Sequence, residues 1–372
     1  MPCLLRELGG LAAAAPLSLG IVPLVPERVL KFLIFFVMTF SSSGRELPAS
    51  TPSFLGLGRP KQRLARPWVL ALLLLLAPRS GRACACGCGI YEVGTSSMIP
   101  TGSGIETFFD YDYQDQDHNW SGSSEAPAAD NADKDIRTSW YTFGYQQMFN
   151  RSWGIRLELP YETRHFETTG GATGSDIVDV NFSGPGDLRV EGIFTGFSPD
   201  MSCGLTFGLK LPTGSYTKED PYDDIDRDSE IGSGSTDILL GGFERFNIDT
   251  DHGWSGFTQA LLEVPVLTQL QYRPGAEFDV AVGAYYTGLR IGRLSLSPVG
   301  QLKLSVRGRD AGANSADPVA SGFTRILAAP GLELDLHPFK VYADVELPLY
   351  YRFTGDQLAA KVLFRLSTSY MF

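Results

Sequence analysis

Residues 361–372 close the chain with the stretch KVLFRLSTSYMF. Successive side chains of an extended strand point to opposite faces, so Val362, Phe364, Leu366, Thr368, Tyr370 and Phe372 share one face and Lys361, Arg365, Ser367 and Ser369 the other. One face is apolar and the other polar. The run is about as long as a strand that crosses a bilayer at a tilt, and an aromatic residue ends it. Taken alone it fits either a barrel strand in a membrane or the edge strand of a soluble β-sandwich, and the rest of the chain decides between them.

The same alternation recurs upstream with ionised groups at mid-strand. In residues 340–354, Val341, Ala343, Val345, Leu347, Leu349 and Tyr351 oppose Asp344, Glu346 and Arg352. Ile326, Ala328, Leu332, Leu334 and Leu336 oppose Arg325, Glu333 and Asp335, while Leu294, Leu296, Leu302, Leu304 and Val306 oppose Lys303, Arg307 and Arg309. Phe278, Val280, Val282, Ala284 and Tyr286 oppose Glu277 and Asp279, and Ile155, Leu157 and Leu159 oppose Arg156, Glu158 and Glu162. A half-exposed soluble sheet permits hydroxyls on its polar face; repeated charges at mid-strand suit a polar lumen behind a lipid-facing wall. Residues 235–247 fit poorly, because Asp237 and Glu244 fall on opposite faces.

Turn signals divide the chain from Gly104 onward into strands joined alternately by short and long connections. The short ones are expected at 150–153, 198–201, 249–253, 290–293 and 337–340, and the long ones at 115–134, 168–185, 212–233, 268–274 and 310–321, with a tight last loop at 355–357. Short turns on one rim and long loops on the other predict an all-β, antiparallel transmembrane barrel of about twelve strands over residues 104–372, with periplasmic turns and extracellular loops. A repeated LP or VP pair (LELPY, LKLPTG, LEVPV, VELPL) supports a hairpin unit, and since proline has no ladder donor, Pro160, Pro212, Pro265 and Pro348 are expected at bulges or strand ends.

Composition agrees with this reading. The 372 residues include 41 Gly, 23 Phe and 15 Tyr, the mean hydropathy is -0.03, and no apolar run reaches the ~18 residues that a membrane-spanning helix needs. Residues 1–83 hold 10 Lys/Arg and 3 Asp/Glu of the 31 and 42 in the chain, leaving 21 basic against 39 acidic groups, a net of -18, for residues 84–372. That balance excludes nucleic acid as a partner.

Residues 59–83 carry basic residues, an apolar run from Trp68 to Ala77 and a small-residue exit, the pattern of a secretory signal cleaved after Ala83 or Ala85. Residues 1–58 are expected to be an extension from a misassigned start or an unstructured segment. Directly after the signal, within a periplasmic segment 84–103, CACGCG places Cys84, Cys86 and Cys88 two residues apart. Thiolates select soft ions, so Cu(I) or Zn(II) binding is one reading. A disulfide, including one to Cys203, or no specific role are the others, since the usual zinc and haem spacings are missing.

Taken together, CACGCGIYEVGTSSM, FFDYDYQDQDHNWSG, MFNRSWGIRLELPY, GDLRVEGIFTGFSPD, LTFGLKLPTG, GSGSTDILLGGF, LTQLQYRPG and SYMF make residues 84–372 resemble the outer-membrane proteins labelled "MetA-pathway of phenol degradation", a transporter-like group. The terminal strand resembles the recognition strand that Gram-negative outer-membrane barrels present to the barrel-assembly machinery. The resemblance implies a barrel set in outer-membrane lipid and lipopolysaccharide that handles small solutes, aromatic ones among them. No enzyme activity is expected, because the four histidines are scattered along the chain.

If the alternation holds, the lumen contains Arg156, Glu158, Asp187, Arg189, Glu191, Lys210, Glu263, Glu277, Asp279, Lys303, Arg307, Arg325, Glu333, Asp335, Asp344, Glu346 and Arg365, with Tyr285, Tyr342 and Tyr350 also inward. Opposite charges there either plug the barrel or line a narrow channel; a third reading is a non-transporting barrel that docks a metal or redox partner through its cysteines. The acidic stretch 216–230 is expected to be a solvated loop crosslinked to lipopolysaccharide phosphates by divalent ions. Asp224, Asp226 and Asp228 have calcium-loop spacing, but Ser229 stands where the turn glycine belongs. Among His118, His165, His252 and His337 only His165, near Glu162 and Glu167, is a candidate for hydrolytic chemistry.

Overall fold

In the computed structural model the described residues are 99–100, 102–170, 176–219, 225–312 and 319–372. The expected leader and Cys84, Cys86 and Cys88 lie outside them. Fourteen strands follow one another: β1 (Gly104–Gly122), β2 (Ser124–Glu125), β3 (Asp133–Met148), β4 (Trp153–Gly170), β5 (Asp176–Pro185), β6 (Leu188–Phe194), β7 (Cys203–Leu211), β8 (Ser235–Asp249), β9 (Trp254–Thr268), β10 (Glu277–Tyr286), β11 (Leu289–Ile291), β12 (Leu294–Arg307), β13 (Phe323–Leu336) and β14 (Phe339–Met371). Among the described residues a single 3-10 turn, Ala128–Asp130, interrupts them.

Every neighbouring pair is antiparallel, and the order β10-β9-β8-β7-β6-β4-β3-β1-β14-β13-β12 closes on itself where β12 pairs with β10. The sheet is therefore a barrel with no free edge in its ring. β2, β5 and β11 lie off the ring, paired with β1, β4 and β12.

Eleven elements close the ring, against the twelve strands expected. The difference lies in β14, which runs 33 residues as one bent strand. Its first arm pairs with β13 through Phe353, and its second pairs with β1 as far as Met371. The two arms lie side by side: the amide of Met371 donates to the Pro338 carbonyl at 3.0 Å, and the Phe339 and Tyr370 rings stand 4.8 Å apart. Gly355 makes the bend with φ of 71°, where an added Cβ would meet Ala320 at 2.7 Å, so only glycine suits both backbone and space.

The long connections also differ from expectation. β1 and β3 extend through half of 115–134, and β5 occupies much of 168–185, pairing with β4 from Tyr161 to Gly170. Charged and hydroxylic side chains there did not look like strand, yet the ladder from β3 and β4 continues beneath them.

Burial follows the alternation with the polarity of a soluble protein inverted. Outward-facing Phe143, Leu240, Leu302 and Phe364 are exposed, at 59%, 51%, 54% and 46%, whereas inward-facing Lys303 and Arg325 retain 0% and 2%. Apolar side chains this exposed around a closed sheet are a lipid-type surface.

The prolines mark the interruptions. Opposite β13 the register slips between Ile326, which faces Tyr350, and Leu327, which faces Pro348. The extra residue is a bulge that reverses the faces: Asp344 and Glu346 are buried before it, Tyr351 and Phe353 after it. Tyr350 and Arg352, expected inside, consequently point out, and Tyr351 points in. A second slip, between Thr236 facing Leu267 and Asp237 facing Pro265, lies beside Pro265. Pro212 directly follows β7, and Pro160 sits where β4 exchanges β6 for β5 as its neighbour.

Candidate functional site: the charged barrel interior

The interior has three levels. At the rim of short turns, Ile99 packs with inward-facing Met148, Ile193, Phe243 and Phe257 and with Met201 of the β6–β7 turn, all buried. Arg245 holds the entering chain there by donating to the Pro100 carbonyl at 3.2 Å. Tyr285 packs against the same cluster, its ring 6.3 Å from that of Phe257.

The middle level is ionic, and its groups come from strands far apart in sequence because each ring strand contributes alternate residues. Arg156 of β4 reaches Glu191 of β6 at 3.4 Å and Glu158 at 3.8 Å, and donates to Gln146 Oε1 at 2.8 Å. Lys210 of β7 is clasped by Asp237 of β8 at 2.6 Å and by Glu263 of β9, to which Arg189 of β6 also bonds at 2.7 Å. On the opposite wall Lys303 of β12 bonds Glu346 and lies 3.5 Å from Asp344, both of β14. Tyr342 and Gln301 complete that group, donating to Asp344 Oδ2 at 2.7 and 3.0 Å. Arg365 bonds Asp112 of β1 at 2.5 Å, and Arg325 lies over the Phe323 ring at 4.9 Å.

Each expected channel residue among the described residues thus has a place. Arg156, Glu158 and Glu191 form one group; Arg189, Lys210 and Glu263 a second; Lys303, Asp344 and Glu346 a third. Asp279 is buried in the wall of the cavity described below, Arg307 pairs with Asp310 at 3.0 Å, and Glu333 is half-buried. Not expected were Asp110, Asp112, Arg164 and Asp237. Arg164 was legible, since the parity of Arg156, Glu158 and Glu162 continues to it; Asp110 and Asp112 alternate in the same way in FFDYDYQ.

The third level is formed by the described parts of the β7–β8 connection, residues 212–219 and 225–234, of which the second turns inward. Asp187 accepts from the amides of Gly214 at 3.0 Å and Ser233 at 2.9 Å and from the Ser233 hydroxyl at 2.6 Å, pinning both ends of the connection. Gly214 and Gly232 cross so closely that a Cβ on either would lie within 2.8 Å of the other's backbone. From the wall, Arg164 donates to the Ser229 carbonyl and to that of Glu230 at 3.1 Å. Arg227 inserts between Tyr216 and Tyr272, 4.9 and 4.7 Å from their ring centres, a cation held by two aromatic faces. Tyr272 in turn donates to Asp310 at 2.8 Å.

The expectation of a solvated acidic loop is therefore overturned for residues 225–230, where Ile225, Asp228, Ser229 and Glu230 are buried, as is Ile231 after them. Asp224 lies outside the described residues. Burial raises the Glu230 carboxyl to about 6, against the amide of Lys218, which bonds it and pulls the other way. Beneath the connection remains a cavity of about 160 Å³, lined by Arg164, Arg189, Lys210, Glu263, Asp279 and Arg307 among others.

The four histidines lie on separate elements, and His165 is beside carboxylates of β3 and β5. Glu162 faces the lumen with Arg164, not with His165, which is on the outer face. His252 bonds Asp249 within its turn, and His118 bonds its neighbour Asp117. Cys203 is buried.

Solved structures share this architecture. The barrel has the fold of an outer-membrane channel. That channel, from Pseudomonas putida F1, superposes with a TM-score of 0.56 at 11% identity over 76% of this chain and all of its own. The β domain of the Bordetella autotransporter BrkA matches at 0.45 and 11% identity, over 73% of this chain and all of its own. No family model matches the sequence, and no curated protein does. The likeness thus extends to the barrel fold, and the narrower phenol-degradation group is not reached by it.

Proposed function

We propose that the protein is an outer-membrane channel or transporter for small solutes. The observation that carries this reading is the closed ring with apolar residues outward and a belt of Arg, Lys, Asp and Glu inward from opposite walls. Such a belt solvates a polar or charged solute within a surface that faces lipid. Acidic groups outnumber basic ones among the buried interior residues, which favours cations over anions. The inward β7–β8 connection acts as the outer constriction and the Ile99 cluster as the inner one. Support for the channel comes also from the fold shared with the Pseudomonas putida channel. The aromatic solutes implied by the sequence resemblance gain no support from this ionic interior. We place the short turns at the periplasm and the long connections outside, in keeping with the usual arrangement of such barrels.

Conductance in planar bilayers tests the reading: purified protein is expected to give discrete steps with a cation-to-anion permeability ratio above unity. Leak-level current from protein that inserts, in both the intact form and one shortened across residues 216–230, would refute it. A second reading is favoured by the Ile99 seal: a non-transporting barrel whose N-terminal segment is held in the short-turn mouth and presents Cys84, Cys86 and Cys88 to a copper or zinc carrier or a redox partner. Copurification that is lost when the three cysteines become serine distinguishes it.

A further inference from the structure

The outer face of the barrel changes character abruptly along β1, β3 and β4. Its lipid-type side chains end at Tyr111, Tyr113, Tyr141 and Tyr161, and above them on the same face come Asp115, Asp135, Arg137, His165, Glu167 and Asp179. Register alignment makes this a cluster: Asp115 is paired with Arg137 and Arg137 with His165, while Asp135 is paired with Glu167 and Glu167 with Asp179. Ligand atoms of Asp135, His165 and Glu167 lie within 4.8 Å of one another.

Three observations show that this is more than an acidic rim. His165 Nδ1 lies 3.1 Å from Asp179 Oδ1 and 3.1 Å from Asn181 Oδ1. Both are acceptors, so Nδ1 is the nitrogen that donates, and Nε2 is the nitrogen left to face a metal ion. That Nε2 atom is buried and has no hydrogen-bond partner; neither have Asp135 Oδ1 and Asp115 Oδ1. Finally, Arg137 at 3.1 Å satisfies the other oxygen of Asp135, so the orphaned oxygen is the one left to face inward to the cluster. A nitrogen lone pair among unpartnered carboxylate oxygens is unfavourable by itself and favourable around a cation. The carboxylate behind Nδ1 is the support that metal-bound histidines have.

We propose that Asp135, His165 and Glu167, with Asp115 beside them, bind a divalent transition-metal ion of the zinc class on the outer face of the sheet β1–β3–β4–β5. The mixed nitrogen and oxygen donors select such an ion over Ca²⁺ or Mg²⁺, which take oxygen ligands. Metal bonds of about 2.0–2.2 Å require the donors to draw in to roughly 3.5 Å, and the side-chain torsions of His165 and Glu167 supply that movement. The position just above the tyrosines lies where a bilayer gives way to headgroups, so the bound ion adds positive charge at that level. The site is separate from the lumen and does not depend on the channel reading.

The test uses the mature barrel folded in detergent, with Cys84, Cys86 and Cys88 changed to serine so that the N-terminal thiols contribute nothing, and without lipopolysaccharide. Titration with Zn²⁺ by calorimetry is expected to give one equivalent, and Co²⁺ a visible absorption band that Zn²⁺ removes. His165→Ala is expected to lower Zn²⁺ affinity at least ~100-fold, and Asp179→Asn, which touches only the second nitrogen, about 10–100-fold. Glu125→Gln, on the exposed strand β2, is expected to change nothing. Folding of each variant is read from its heat-dependent gel migration; if His165→Ala does not fold, Glu167→Gln takes its place, with loss of the Co²⁺ band expected. Failure to bind Zn²⁺, or binding that His165→Ala, Glu167→Gln and Asp179→Asn leave unchanged, overturns the proposal.

Discussion

Asp187→Ala tests whether the β7–β8 connection restricts the lumen. The carboxylate accepts three hydrogen bonds from the connection, at 3.0, 2.9 and 2.6 Å, from residues near its two ends. Hydrogen bonds to a charged group contribute about 1.5–3 kcal/mol each. Three at the lower end of that range, discounted for water reaching the released groups, come to about 4 kcal/mol, or roughly a thousandfold in the ratio of docked to released connection. The Arg164 bonds to Ser229 and Glu230 and the Arg227 stack between tyrosines remain, so the connection is loosened without losing every anchor. Single-channel recording at neutral pH is expected to show a larger open fraction for Asp187→Ala than for the unmodified protein. Limited trypsin digestion is expected to cut at Lys218 and Arg227 faster in the variant. Unchanged conductance together with faster cleavage would refute the constriction; unchanged cleavage would refute the pinning by Asp187.

Lys303→Met leaves Asp344 and Glu346 facing each other without their cation in a site from which Lys303 is fully shielded; a loss of about 3–5 kcal/mol is expected, read as a lower urea midpoint of the folded barrel. Gly144→Val puts a Cβ 2.0 Å from the Phe108 ring that covers this glycine across the β1–β3 ladder, at a cost of about 1–3 kcal/mol in the same assay, and Phe108→Ala in the same chain is expected to relieve the clash. Burial raises the Glu230 carboxyl from 4.5 to about 6, so the docked connection holds a proton more tightly than the released one. Docking therefore strengthens as pH falls below about 6 and gains nothing more below about 4.5. Conductance is expected to be lower at pH 5 than at pH 7.5, and Glu230→Gln to abolish the difference; a flat profile in the unmodified protein contradicts this.

Much of the wall was legible in the sequence because lipid and lumen impose opposite demands on neighbouring residues. Val362, Phe364 and Leu366 against Arg365 sufficed to orient the last strand, and Lys303, Asp344 and Glu346 could be placed inside before they could be paired. Parity fails where a bulge adds a residue. Pro348 marks the bulge, and Tyr350 and Arg352, inward by the parity that precedes it, face outward beyond it. Partners were not legible, since Arg365 and Asp112 are separated by almost the whole barrel and meet only because the ring closes between β14 and β1. The inward course of residues 225–233 had no periodic signal: Asp226, Arg227 and Asp228 read as a solvated loop, and what turns them inward is the acceptor Asp187 and the donor Arg164 on other strands.

The two faces of β4 show how one strand carries both proposals without conflict. Its even positions, Arg156, Glu158, Glu162 and Arg164, are buried in the lumen, where each cation has a carboxylate within 4 Å. Its odd positions pass from Leu157, Leu159 and Tyr161 to His165 and Glu167, that is, from lipid-type side chains to metal-type donors. A charge on an odd position at the level of Leu157 would face hydrocarbon, at a cost of about 2–4 kcal/mol for a cation near the midplane. The same charge at the level of His165 meets water and headgroups. The strand therefore continues beyond the lipid belt as β-structure while its outer face becomes polar, and the extension that was read as loop is the part of the sheet free to bind an ion.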